Sequence, residues 1–184
     1  MKPRFLTLTL IVFTLISSCK PKEETSKLDI SKLPKATEAQ IEELVGKFID
    51  AAEGSTIEIP EGYFEMPTQL ILDNVNNVTI KGAGMYKTVI SFKTMTTGGE
   101  GMKIAGNKIT LEGFTVTDAP GDDIKTQKCD GLTFRAINTT WTNGEKSKNG
   151  TYGIYPVQCK NVLVEKCEVS NSRDAGIYVG QSEN

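Results

Sequence analysis

The sequence predicts an all-β solenoid, in which short parallel strands stack coil on coil behind one N-terminal helix. The first observation is a repeated tripeptide, because Gly153-Ile154-Tyr155 recurs as Gly176-Ile177-Tyr178 with a period of 23 residues. The second is a series of short β-branched runs after Gly54, separated by Gly, Pro and Asn. A repeat of this length is typical of solenoids, whose coils bury a common core by stacking.

The N-terminus predicts a signal peptide over residues 1–18. Lys2 and Arg4 precede an apolar run from Phe5 to Ile16, which small residues follow. Ile16-Ser17-Ser18-Cys19 resembles the lipobox of bacterial lipoproteins. The resemblance implies cleavage before Cys19 and lipid attachment to it, so that the membrane becomes a partner through a lipid anchor.

The predicted location is the outer membrane. Lys22-Glu23-Glu24 resembles an export tag of Bacteroidota lipoproteins, which implies the cell surface; a solvated charged tether that leaves the protein facing the periplasm is the alternative. Residues 19–36 are Lys-, Glu-, Ser- and Thr-rich and predict a flexible tether.

The solenoid domain is predicted over residues 37–184, with a capping helix at about 37–53. Thr37 and Gln40 have the spacing of a capping box, and Gly54 is suited to end the helix. The residues expected on its apolar face are Ile41, Leu44, Val45, Phe48 and Ile49.

Four strands are predicted next, at Thr56–Ile59, Leu70–Leu72, Val78–Ile80 and Val89–Phe92. The run Val78-Thr79-Ile80-Lys81-Gly82-Ala83-Gly84 and the preceding helix-to-strand passage resemble the opening of the pectin-lyase-like superfamily. The resemblance implies a right-handed parallel β-helix whose first coil is capped by the amphipathic helix.

Three later coils align from Ile109, Leu132 and Val162, with inward residues expected at offsets of zero, two, five and seven. Because strict alternation would continue at offset four, the pattern predicts a bend there. A third strand is predicted to start at Ile104, Ile124, Ile154 and Ile177. The chain stops within a coil, which predicts a C-terminally truncated solenoid or an end covered by a partner.

Charge and composition exclude several classes of function. The formal net charge is −2, and no long basic run is present, so nucleic acid is not an expected partner. The chain has no histidine, which excludes His-based catalytic triads and His-ligated zinc. Cys129 and Cys159 should stack on neighbouring coils, as free thiols or as a disulfide, whereas Cys167 should face the core.

The outward residues of the third strand are expected to form a column of Ala105, Lys125, Tyr155 and Tyr178. Gly153 and Gly176 beside the tyrosines would leave the aromatic faces uncovered. Tyr155 and Tyr178, with Trp141 in an adjacent loop, are therefore candidate residues for binding sugar rings. A tyrosine ladder stacked only on itself is the alternative.

Loops at the same edge supply the candidate chemistry. Asp118, Asp122 and Asp123 could hold Ca²⁺ through oxygen ligands, and Arg173 or Lys125 could be the basic catalytic group. The superfamily resemblance implies a groove that binds uronic-acid polysaccharide and processes it as a lyase or an epimerase. A non-catalytic binding or structural surface module is the alternative, and turn composition alone would explain the aspartates.

Overall fold

The computed structural model describes residues 28–183. The predicted signal peptide, Cys19, Asn184 and most of the predicted tether lie outside the described residues. Within residues 28–183 the chain forms one α-helix, two short 3₁₀ turns at Ile30–Lys32 and Lys146–Lys148, and a series of strands. The helix is α1 (Glu38–Ile49), and the strands are β1 (Thr56–Ile59), β2 (Gly62–Glu65), β3 (Leu70–Leu72), β4 (Thr79–Gly82), β5 (Thr88–Ser91), β6 (Met102–Ile104), β7 (Ile109–Thr117), β8 (Ile124–Gln127), β9 (Asp130–Thr140), β10 (Ile154–Val157), β11 (Lys160–Glu165) and β12 (Glu168–Ser170).

Helix α1 begins as the sequence predicts and ends earlier. The Thr37 hydroxyl accepts the Gln40 amide hydrogen, and the Gln40 side chain accepts the Thr37 amide hydrogen, which completes the capping box. Asp50 is the C-cap, so the predicted extension to residue 53 is wrong. Leu44 and Phe48 are buried against the first coil, whereas Ile49 is 75% exposed and does not belong to the apolar face.

The end of the predicted tether is part of the fold. Lys35 forms a β-bridge with Tyr63, and the Ala36 amide donates to the Tyr63 carbonyl at 2.9 Å. Lys35 Nζ also lies 2.7 Å from Glu65 Oε2. Residues next to α1 are therefore fixed against β2, because the backbone groups of that strand would otherwise lack partners.

The strands form three faces of a parallel β-solenoid, as the sequence predicts. One face contains β1, β4, β11 and the N-terminal halves of β7 and β9. The second face contains β2, β5, β12 and the C-terminal halves of β7 and β9. The third contains β3, β6, β8 and β10, and single bridges join it to residues 177 and 180. Every strand pair in the described chain is parallel, so equivalent residues of successive coils stack.

The predicted register of the long coils is confirmed. Ile109 pairs with Leu132, and Leu132 with Val162. The predicted bend is also present, since the residue at offset four has a positive φ in each coil: 71° at Gly113, 50° at Ala136 and 54° at Lys166. The core between the faces contains nearly all of the predicted inward residues, and Phe114, Phe134 and Ile137 are fully buried.

A ladder of side-chain amides and carboxylates supports one corner of the stack. Asn76 Oδ1 accepts the Asn107 amide at 2.8 Å, and Asn107 Oδ1 accepts the Asp130 amide at 3.0 Å. Asn161 Nδ2 then donates to Asp130 Oδ1 at 2.7 Å. The first two bonds give backbone amides a side-chain partner, and the third joins two side chains of successive coils.

Across residues 28–183, no helix has both the length and the apolar character that a membrane span requires.

Candidate functional site

The third face presents a column of outward side chains along the solenoid. In register, this column is Ile71, Lys103, Lys125, Tyr155 and Tyr178. Met102, not Ile104, pairs with Ile124, so the predicted place of Ala105 in the column is wrong. Lys103 takes that place and sets two lysines beside two tyrosines.

Three tyrosines pack against one another at one end of the column. The ring centroid of Tyr152 lies 4.9 Å from the ring centroid of Tyr155 and 4.9 Å from that of Tyr178. The ring centroids of Tyr155 and Tyr178 are 5.4 Å apart. Tyr178 is 45% exposed, and Tyr152 and Tyr155 are half-buried. We call Tyr152, Tyr155 and Tyr178 the tyrosine cluster.

Tyr152 belongs to this cluster although strand alternation does not place it there. It lies at the end of the loop before β10, and its carbonyl accepts the Asp123 amide at 3.0 Å. Its position before the repeated Gly-Ile-Tyr is the only signal in the sequence that could have indicated it.

The glycine that leaves the tyrosine cluster uncovered is not one of the two predicted glycines, Gly153 and Gly176. A Cβ at Gly153 would lie 2.2 Å from Thr139 Oγ1 and 2.5 Å from Val169 Cγ1, so this glycine allows close packing inside the solenoid. A Cβ at Gly180 would lie 3.1 Å from Tyr155 Cε2 and 3.4 Å from Tyr178 Cε1. Gly180 is therefore the glycine that leaves the ring edges uncovered.

Lys125 joins the tyrosine cluster to an acidic neighbour. Its Nζ lies 5.5 Å from the centroid of Tyr155 and 3.0 Å from Glu100 Oε1. Glu100 Oε2 also accepts from Gln69 Nε2 at 3.1 Å. Partial burial alone would lower the pKa of Lys125, but the hydrogen bond and charge of Glu100 outweigh it and raise that pKa. Lys125 is therefore a fixed cation at neutral pH.

Arg173 lies in the loop beside the cluster and is exposed. Its Nη2 donates to Thr151 Oγ1 at 2.8 Å, and its amide donates to the Gly150 carbonyl at 2.8 Å. Desolvation and the neighbouring Asp174 carboxylate raise the pKa of Tyr152, so this phenol stays neutral at neutral pH. The structure thus places Arg173 next to Gly150 and Thr151, the two residues that precede Tyr152.

Trp141 does not present its ring at the surface, contrary to the prediction. It is only 2% exposed, and its Nε1 donates to the Ala119 carbonyl at 2.8 Å. A ring that packs inside the loop and has its polar atom bonded to the backbone fixes that loop instead of contacting a ligand.

The three loop aspartates face different protein donors. Asp118 Oδ1 accepts the Thr142 amide at 2.6 Å, Asp122 Oδ1 accepts the Tyr152 amide at 3.2 Å, and Asp123 Oδ1 accepts the Ala119 amide at 3.0 Å. Among residues 28–183, no group of three metal-ligating side chains converges. Each carboxylate therefore uses an oxygen to fix a turn, and the Ca²⁺ site stays a prediction.

Asp123 is the most unusual of these carboxylates. It is fully buried, and its Oδ2 has no hydrogen-bond partner among the described residues. Burial raises the pKa of Asp123 well above its ordinary value, and the nearby Asp118 and Asp122 charges add to that effect. Burial likewise raises the pKa of Asp122.

Comparison with known proteins identifies the architecture. A family model of a right-handed β-helix region matches residues 68–184. No curated protein sequence matches the chain.

Solved structures resemble the chain at low sequence identity. A protein from Parabacteroides merdae, provisionally described as a glycosyl hydrolase, has a TM-score of 0.54 and 16% identity over 71% of this chain and 68% of its own. A PL6 alginate lyase in complex with a trisaccharide has a TM-score of 0.52 and 17% identity over 74% of this chain and 32% of its own. A pectin methylesterase variant bound to a hexasaccharide has a TM-score of 0.46 and 15% identity over 68% and 50% of the two chains. At these identities the likeness to the first two structures shows the fold alone, and the chain spans about a third of the alginate lyase.

Proposed function

Because the chain belongs to the right-handed β-helix family, we propose that it binds polysaccharide through the tyrosine cluster. The observation that carries the proposal is the set of three tyrosine rings whose centroids lie within 5.4 Å of one another, with Tyr178 stacked on both Tyr152 and Tyr155, partly exposed at the edge of a rigid parallel sheet. Aromatic faces and edges pack against the apolar C–H faces of pyranose rings, and rings that are already ordered lose little entropy on binding. A trisaccharide complex of the alginate lyase that shares this fold makes a glycan the first ligand class to test.

Acidic polysaccharide is the class of glycan that the surrounding charges favour. Lys103 and Lys125 follow the tyrosines in the same column, and Arg173 borders them from the loop. In the described part of the chain, Lys103 makes no salt bridge, so its ammonium group is available to a sugar carboxylate. Uronic-acid units would therefore place carboxylates on the lysines and ring faces on the tyrosines.

An enzymatic form of the proposal is lyase or epimerase chemistry. Lys125 and Arg173 would neutralise the uronate carboxylate, which acidifies the neighbouring C–H, and a base would remove that proton. Elimination would then give an unsaturated product, whereas reprotonation on the other face would give the epimer. The raised pKa of Lys125 suits it to the role of the cation and not to that of the base. A module that binds without turnover is the alternative.

The proposal also includes anchoring at the outer membrane through Cys19, with the solenoid at the cell surface. Acylation would appear as a mass increase on the N-terminal peptide, and Cys19→Ser should abolish it. Protease treatment of intact cells distinguishes a surface protein, which is degraded, from one that faces the periplasm.

The binding test is isothermal titration with alginate and polygalacturonate oligosaccharides. We expect Tyr155→Ala and Tyr178→Ala each to weaken binding roughly tenfold, because each removes a stacking surface. Leu163→Ala is the matched control, since Leu163 is 46% exposed on a different face. Unchanged affinity in both tyrosine variants would refute the proposed surface.

The test for turnover uses the same polymers. A lyase releases products that absorb in the ultraviolet, and an epimerase changes the NMR spectrum of the polymer without such absorbance. Binding without either change supports the non-catalytic module.

A further inference from the structure

Two cysteines lie at the same corner of consecutive coils. Cys129 and Cys159 each directly precede a strand, and the Lys160 amide donates to the Cys129 carbonyl at 2.8 Å. Each follows a residue with a φ of 54°, Lys128 in one coil and Gln158 in the next. Both thiols face the core, with exposures of 1% and 0%. Adjacent parallel strands are about 4.8 Å apart, which is within the Cα separation that a disulfide accepts.

The two thiols are in contact with each other and with further polar groups. The Cys129 amide donates to Cys159 Sγ at 3.5 Å, and Thr126 Oγ1 lies 3.8 Å from the same sulfur. Cys129 Sγ also lies 3.8 Å from the Ile104 carbonyl oxygen. Cys159 Sγ also lies 3.7 Å from the Thr126 carbonyl oxygen and 3.4 Å from the Val157 carbonyl oxygen. A cysteine that only fills space in a core needs no such polar contacts, whereas the Cys159 sulfur has both a donor and acceptors around it.

These contacts give the two sulfurs different acidities. The hydrogen bond from the Cys129 thiol lowers the pKa of Cys159 to about 6 against the opposing effect of burial, and the Cys129 amide and Thr126 add to it. The same contact and burial raise the pKa of Cys129. Cys159 is thus the sulfur that ionises first, and Cys129 is its protonated neighbour.

Cys167 provides a contrast within the same solenoid. It is only partly buried, its Sγ donates to the Glu165 carbonyl at 3.3 Å, and burial raises its pKa. Exposure alone would favour oxidation of Cys167, whereas the contacts between thiols favour Cys159.

We propose that Cys129 and Cys159 form an oxidisable dithiol, which peroxide converts into a disulfide that joins two coils. This site is independent of the tyrosine cluster and of any glycan.

The reaction balances with hydrogen peroxide as the oxidant. The Cys159 thiolate attacks one peroxide oxygen, the O–O bond breaks, and hydroxide leaves, so that Cys159 becomes a sulfenic acid. The Cys129 sulfur then attacks the Cys159 sulfur and displaces hydroxide, which takes the Cys129 proton and leaves as water. The first hydroxide combines with the proton that Cys159 lost on ionisation, so the sum is two thiols and one peroxide giving one disulfide and two waters.

A small oxidant has a short path to the pair. A surface depression of about 420 Å³ lies over this corner and is lined by Gly106, Gln127 and Lys128, among others. Gln127 and Lys128 directly precede Cys129 in the chain, so a local opening of one turn exposes the sulfur.

The experiment treats the reduced full-length protein with hydrogen peroxide, then unfolds it, alkylates it and measures its mass. We expect two fewer alkylated cysteines, a linked pair of tryptic peptides containing Cys129 and Cys159, and reversal by dithiothreitol. Closing the intervening loop should also raise the Tm of the oxidised protein by about 5 °C. Cys167→Ser is the matched control and should oxidise like the wild type.

Single variants separate the two roles. Cys129→Ala should leave a sulfenic acid on Cys159 that dimedone traps, while Cys159→Ala should leave Cys129 unreactive. The proposal is overturned if the wild type yields no linked peptide, if Cys167 is a partner in the link, or if Cys129 reacts with dimedone as readily as Cys159. The peptide link in the wild type decides the matter even where a variant fails to fold.

Discussion

The residue at each bend of the solenoid determines how tightly the first two faces meet. Gly113, Ala136 and Lys166 stack at this position with φ values of 71°, 50° and 54°. Only glycine adopts this conformation without steric cost, so two of the three coils make the bend with a strained residue. The neighbouring strands must supply the free energy that holds them there.

The bend gives opposite predictions for two small substitutions. Gly113→Ala should destabilise the protein by about 1–2 kcal/mol, because a side chain in this conformation is strained. Ala136→Gly should stabilise it by up to about 1 kcal/mol, since the relief of strain exceeds the added entropy of the unfolded chain. Urea unfolding curves measure both effects, and changes of the same sign would contradict the strain argument.

Individual side chains show where sequence reasoning succeeds. The alternation that places Tyr155 and Tyr178 outward follows directly from strand geometry, and the register confirms it. Trp141 and Tyr152 lie in the loop between β9 and β10 or at its ends, where no periodicity applies. The burial of Trp141 and the partial exposure of Tyr152 depend on contacts that only the folded loop defines.

Among the elements, the first face carries a column of alternating charge. Its outward residues in register are Glu58, Lys81, Glu112, Arg135 and Glu165. Arg135 lies 3.3 Å from Glu112 and 2.5 Å from Glu165, while Lys81 lies 3.7 Å from Glu112. Each exposed ion pair contributes little to stability. Pairing a strand with the coil after its correct neighbour would, however, place like charges side by side. The column therefore favours the observed pairing of coils.

A segment between β4 and β5 crosses the second face and contacts later coils. Thr115 Oγ1 donates to the Met85 carbonyl, and Asn138 Nδ2 donates to Thr115 Oγ1 at 3.3 Å. Tyr86 Oη then donates to Glu168 at 2.5 Å. The segment thus connects an early coil to β12.

The Tyr86 contact predicts a dependence of stability on alkaline pH. Burial and the bond to Glu168 raise the pKa of Tyr86 to about 12. The folded protein therefore holds this proton more tightly than the unfolded chain, whose tyrosine ionises near pH 10. This contribution is complete below about pH 10 and is lost as the pH rises to about 12.

Tyr86→Phe should be less stable than the wild type by about 1 kcal/mol at pH 8, and the difference should shrink by pH 12. Melting temperatures across this pH range provide the measurement. A difference that stays constant with pH would show that the phenol does not donate to Glu168.

At the scale of elements, the error in the third strand has a physical cause. Met102 and Ile104 both face the core, so a shift of two residues preserves the inward pattern. Aligning Ile104 with Ile124 is wrong, because the correct partner of Ile124 is Met102. Hydrophobicity determines whether a side chain points inward or outward, but it does not determine which residue of the next coil it pairs with. Strand β2 was missed because Gly62-Tyr63-Phe64-Glu65 lacks a β-branched residue.

Across the whole molecule, burial decreases toward the last described coil. Phe134 in β9 is fully buried, whereas Val164 and Val169 at equivalent depth in β11 and β12 are only partly buried. Ile177 is 42% exposed although it faces inward. In a stack where each coil contacts only its neighbours, local stability follows this burial.

Hydrogen exchange should therefore show strong protection in β7 and β9 and weaker protection in β11 and β12. In the same way, Phe134→Ala should lower the free energy of unfolding by about 3–5 kcal/mol, while Val164→Ala should lower it by about 1 kcal/mol. Mass spectrometry of exchanged peptides and chemical denaturation supply the two measurements. Equal protection throughout would indicate one cooperative unit.

The loops that enter the third face differ in length, yet the strands on either side keep their partners. Residues 118–123 connect β7 to β8, and residues 141–153 make the equivalent connection from β9 to β10. Insertions and deletions at this edge therefore leave the hydrogen-bond register unchanged, and natural variation can accumulate there without disturbing the folding of the coils. An ancestral scaffold of this kind can diversify its ligands by altering one loop at a time, while the stacked strands are inherited intact.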